Sequence, residues 1–89
     1  MAACLQALVV KTIPDDMTWL DLFPGDVLVN VFLAETTTLT IIAVEEHGLT
    51  FVHHHSRGSM DLFELDRSSM SKRLRGDFGW ESILRSFVP

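Results

Sequence analysis

The chain has 89 residues, a formal net charge of −5 and a single cysteine, Cys4. Its apolar share of 47% and charged share of 21% fit one small globular domain over 1–89 and exclude a disordered chain. One thiol rules out an internal disulfide framework or a Cys-based zinc finger, and the acidic balance disfavours direct nucleic-acid binding because phosphate backbones are repelled.

Met1 to Val10 is apolar but lacks a basic leader, and Lys11 and Pro14 end it short of a membrane span. The expectation is a cytoplasmic protein with no membrane segment. Leu5 to Ile13 reads as a strand that is apolar on both faces, forming an edge element within 1–13. No Lys, Pro or bulge protects Leu5 to Val10. It is expected to be paired within the fold or across a two-fold axis, with Leu8 and Val10 central to a homodimer.

Pro14-Asp15-Asp16 reads as the start of a short helix over 15–23, with acids at the positive end of its dipole. Thr18 and Asp21 have the spacing of a capping box, and Trp19, Leu22 and Phe23 would form its apolar stripe. Pro24-Gly25 ends it.

Residues 27–65 read as a four-strand antiparallel meander, each run rich in Val, Ile, Thr, Phe and Leu. The strands are Val27–Leu33, Leu39–Val44, Leu49–His55 and Met60–Leu65. Gly48 and Gly58 lie in the second and third turns, where positive φ suits glycine.

Leu22-Phe23-Pro24-Gly25-Asp26-Val27 resembles the opening of many small SH3-like barrels, in which a Gly-Asp turn feeds the first long strand. The resemblance spans Leu22 to Leu65, is fold-level, and implies a bent sheet closed as a small barrel. The N-terminal strand and the C-terminal segment depart from it. In size and acidity the chain also resembles small proteins of phages and mobile elements, inhibitors of host defence systems among them.

The last segment, 66–89, reads as helical. Ser69 to Arg75 would make two turns with Met70 and Leu74 inward and Gly76 as C-cap. Lys72, Arg73 and Arg75 fall near its C-terminal end and with Arg67 hold most of the positive charge, either complementing the helix dipole or forming a partner site. Trp80, Ile83, Leu84 and Phe87 recur with helical spacing, although Ile83 and Phe87 also satisfy the alternation of a final strand. The fold class is thus α+β and mostly β: a strongly bent antiparallel meander or SH3-like small barrel with short N-terminal and C-terminal helices. The expected core is Val29, Val31, Ile41, Phe51, Phe63, Leu65, Ile83 and Leu84.

His53-His54-His55 is the one constellation with chemical potential. His53 and His55 share a strand face, and with His47 they are the candidate ligands of a metal, beside Asp61 or Glu64. Nothing forms a nucleophile–base signature, so no catalytic residue and no cofactor are expected. The chain reads as a non-catalytic protein-interaction module, an inhibitor or accessory subunit acting on a basic, nucleic-acid-handling partner. Asp15, Asp16, Glu45, Glu46, His53, His55, Arg67, Lys72, Arg73 and Arg75 are its candidate contacts. The alternatives are a nucleic-acid-associated SH3-like module and a His-dependent metal-binding protein.

Overall fold

A computed structural model describes residues 7–33, 35–55 and 58–87. Six strands form one antiparallel sheet: β1 (Ala7–Thr12), β2 (Val27–Phe32), β3 (Glu35–Glu45), β4 (Gly48–His54), β5 (Met60–Asp66) and β6 (Ser82–Phe87). Their order is β1-β6-β2-β3-β4-β5. The meander expected over 27–65 is present as the consecutive pairs β2–β3, β3–β4 and β4–β5. Among the described residues β1 and β5 are the two edges and do not pair with each other, so the expected closure into a barrel is not seen there. The long β3 changes register between Ile41 and Ala43, which leaves Ile42 as an extra residue and bends the strand.

The domain is mostly antiparallel β, and the expected helices shrink to two short 3₁₀ turns, Trp19–Asp21 and Arg67–Ser71. The first keeps its capping box. The Thr18 N–H donates to the Asp21 carboxylate at 2.9 Å, and the Leu20 N–H to Thr18 Oγ1 at 3.2 Å. It stops after one turn, and the Leu22 and Asp26 N–H groups bond back to Trp19 and Phe23 carbonyls. The C-terminal helix is replaced by a turn through Leu74–Phe78 and then β6. β6 sits between β1 and β2, so its backbone pairs on both sides, which one amphipathic helix face does not match.

Among the described residues the buried hydrophobic core is Ile13, Trp19, Leu22, Leu28, Leu39, Ile41, Leu49, Met70, Leu74, Trp80 and Ile83. Of the expected core, Ile41 and Ile83 are buried, while Val29, Phe51, Leu65 and Leu84 are half-buried. Val31 is 60% exposed and Phe63 44%. The phase of β2 is the reverse of the one its valines suggest. Leu28 stands opposite both Leu39 and Ile83 and points inward. Asn30, two residues on and hence on the same face, accepts from the Glu81 N–H at 3.0 Å and donates to the Gly79 carbonyl at 2.8 Å. A polar residue inside the strand thus serves as a clamp for the segment before β6.

Two turns also differ from expectation. β3 begins at Glu35, ahead of the expected Leu39, and Phe32 already pairs with Glu35. Gly58 has the positive φ, 91°, whereas Gly48 is needed for a different reason. A Cβ there would collide with the Leu65 carbonyl oxygen of the neighbouring strand.

Candidate functional site

The inner face of the sheet is laid out in rows across β3, β4 and β5. Ile41, Phe51 and Phe63 stand opposite one another, and Leu39, His53 and Asp61 form the next row. The first row continues the core, while the second turns polar toward β5, so the apolar interior opens at this end. Over the opening lie Trp19 from the first 3₁₀ turn and Phe78 and Trp80 from the segment before β6. The result is a cleft of about 220 Å³ lined by Trp19, Leu39, Phe51, His53, Phe63, Leu65, Phe78 and Trp80.

Its walls are a near-continuous run of rings. Phe78 meets Trp19 edge-on at 5.1 Å, Trp19 lies 5.7 Å from Phe51, and Phe51 stacks on Phe63 at 5.5 Å. His53 closes the other side, 5.8 Å from Trp80 and 6.4 Å from Phe63. These edge-to-face and offset contacts are the favourable aromatic geometries. Trp19 is fully buried, yet its indole Nε1–H has no acceptor among the described residues. A buried unpaired donor costs on the order of 1–3 kcal/mol.

Three polar groups mark the rim. His55 Nε2 lies 3.2 Å from Asp61 Oδ2, and the His53 and His55 rings are 4.4 Å apart. Burial, then the neighbouring His55, lowers the His53 pKa below its ordinary 6.5, while Asp61 acts in the opposite sense. His53 therefore favours the neutral form that an apolar cleft requires.

The structure brings together only part of the sequence-derived set. His53 and His55 meet Asp61, but His47 lies before the first residue of β4 and His53 near its last, roughly 20 Å apart at about 3.3 Å per residue. His47 instead sits 3.9 Å from Glu45. Among the described residues no group of three His, Cys, Asp or Glu side chains is placed to hold a metal. Of the basic cluster, Arg73 pairs with Asp77 at 3.7 Å, and Arg75 with Asp15 at 3.3 Å and the Ile13 carbonyl at 3.4 Å. Arg67 and Lys72 are exposed, as are Asp16, Glu45 and Glu46. Val10 is 66% exposed on β1, while the Leu8 side chain and Cys4 lie outside the described residues.

A second depression, of about 250 Å³, is lined by Phe23, Pro24, Gly25, Asp26 and Arg85. Its charges are matched to each other, because Arg85 grips the buried Asp26 carboxylate with two nitrogens, at 2.9 and 2.6 Å. That pair supports the fold and leaves little free chemistry.

The reading from sequence placed Trp19, Phe51, Phe63 and Trp80 in the interior or on core-facing stripes and so missed that they frame an opening. The signal was there. His53 and Asp61 fall on the inward phase of β4 and β5, and polar residues on an inward phase mark where a core stops. No helix of the described residues is long and apolar enough to cross a membrane. No protein-family model, curated protein or solved structure matches the chain.

Proposed function

We propose that the chain is a non-catalytic protein-interaction module of cytoplasmic setting that docks a segment of a partner protein in the aromatic cleft. One observation carries this reading: Trp19, Phe51, Phe63, Phe78 and Trp80 surround a space of about 220 Å³. Small-molecule sites run from about 300 Å³ upward, whereas a single bulky side chain fills a space of this size. Buried aromatic pockets of this kind are where interface energy concentrates. The net charge of −5 suits a basic partner, such as a nucleic-acid-handling protein, and the SH3-like reading rests on the consecutive hairpins of β2 to β5. An inhibitor's role follows if the acidic module occupies a surface that the partner uses for nucleic acid.

The test is selection of a random peptide display library on the immobilised whole chain. Peptides that bind the wild type and lose binding to Phe78→Ala support the reading. An empty selection, or peptides indifferent to Phe78→Ala, contradicts it.

A second reading concerns β1. It is an edge strand carrying an exposed Val10, which favours self-pairing across a two-fold axis. Sedimentation equilibrium tests it: a dimer that Val10→Lys converts to monomer supports the pairing, and a wild-type monomer at high concentration ends it.

A further inference from the structure

We propose that the partner segment is held as a strand added to the free edge of β5, with alternate side chains entering the aromatic cleft; this rests on the cleft reading above. β5 runs from Met60 to Asp66 and pairs only with β4 among the described residues. Along this edge every second residue turns its N–H and C=O away from β4, and such edges are templates for another strand. Natural edges are guarded by Lys, Pro or a bulge, and Met60–Asp66 contains none of these. The cleft lies against this same edge, because Phe63 and Leu65 belong to both.

The period of two then fixes what an added strand must carry. Asp61, Phe63 and Leu65 face the cleft side, so the inward residues of the segment lie beside one carboxylate and two apolar groups. A large apolar or aromatic side chain beside Phe63 would reach the cleft. The outward residues lie beside Met60, Leu62, Glu64 and Asp66, of which Leu62 is exposed. β5 thus offers three carboxylates, Asp61, Glu64 and Asp66, and no cation within the strand. Opposite charges across a strand pair are favourable and like charges are not. The occupant is therefore an extended basic segment in which Lys or Arg alternates with bulky apolar residues. A second copy of this chain is a poor occupant of the same edge, since two such strands would bring together two sets of three carboxylates without a cation.

Main-chain bonding to the edge with side-chain pockets for specificity is an established mode of peptide capture. The experiment uses the peptides selected on the whole chain. Their sequences should alternate Lys or Arg with bulky apolar residues, and bound peptide should slow amide hydrogen exchange along Met60–Asp66. Glu64→Lys with Asp66→Lys should weaken their binding by about tenfold, while the circular dichroism stays that of the wild type. Peptides that need Phe78 yet leave β5 exchange unchanged overturn the added strand and leave the cleft reading standing. Selected acidic peptides, or protection found on β1 instead, overturn it equally. An empty selection removes the cleft reading and this inference with it.

Discussion

Arg85 Nη2 lies 2.6 Å from Asp26 Oδ2, joining residues 59 apart in sequence. The Asp26 side chain is almost fully buried, and the same carboxylate oxygen accepts the Phe23 N–H at 2.9 Å. Arg85 also donates to the Asp21 carbonyl and lies 5.4 Å from the Phe23 ring centre. One guanidinium therefore fastens the Pro24-Gly25-Asp26 turn to β6. Removing it strands a buried carboxylate, and Arg85→Ala should destabilise the domain by about 3 kcal/mol. Asp26→Asn keeps an acceptor for Phe23 and lets the part-exposed Arg85 turn to water, so its cost should be smaller, about 1–2 kcal/mol. Urea titrations of both variants check the order. Equal costs would mean that the pair is not what holds the turn.

Leu33 adopts a φ of 50° and is 82% exposed. A two-residue hairpin connection calls for positive φ at its first residue, and a branched side chain there is strained by about 1 kcal/mol. Relief of that strain is offset in part by the greater freedom of glycine in the unfolded chain, so Leu33→Gly should raise the unfolding free energy by no more than about 0.5 kcal/mol, measured by denaturant midpoint at constant slope. A loss of stability would show that Leu33 gains from contacts what it loses in backbone strain.

His53 should make the stability of the domain depend on pH. Its pKa is lowered in the folded state, first by burial and then by His55, so the unfolded chain binds this proton more readily. The contribution of neutral His53 is fully present above the ordinary 6.5 and is lost as pH falls through the lower folded value. Titration of the His53 ring protons by NMR should give a midpoint below 6.5, and His53→Gln should flatten the stability curve in that window. A midpoint at or above the ordinary value would place the ring outside the cleft.

Much of the sheet was legible because period-two runs separated by short turns admit one arrangement, an antiparallel meander over Val27 to Asp66. Met70 and Leu74 were correctly read as inward even though the helix meant to carry them is a single 3₁₀ turn. Two misreadings share a cause, which is that local pattern does not report the partner. Val27-Leu28-Val29-Asn30-Val31 looks as though its valines face the core, until Asn30 is found bonded to Gly79 and Glu81. Trp80, Ile83, Leu84 and Phe87 have helical spacing, but Trp80 lies before the strand, and β6, the final strand that Ile83 and Phe87 also allow, is fixed by neighbours more than 50 residues away. The cleft itself was hidden for the same reason. Its rings come from four places in the chain, the first 3₁₀ turn, β4, β5 and the segment before β6, and no local window contains them together.

In the proposed function a partner segment enters between Trp19, Phe63, Phe78 and Trp80. The most direct measurement is the affinity of the library-selected peptides for three proteins: wild type, Phe78→Ala and Val31→Ala. Phe78 is a partly exposed wall of the cleft, while Val31 is exposed on β2 and does not line it. The account predicts about a tenfold loss with Phe78→Ala, a shifted Trp19 indole N–H resonance on binding to wild type, and unchanged affinity with Val31→Ala. Equal affinity for Phe78→Ala, or a loss confined to Val31→Ala, would contradict it.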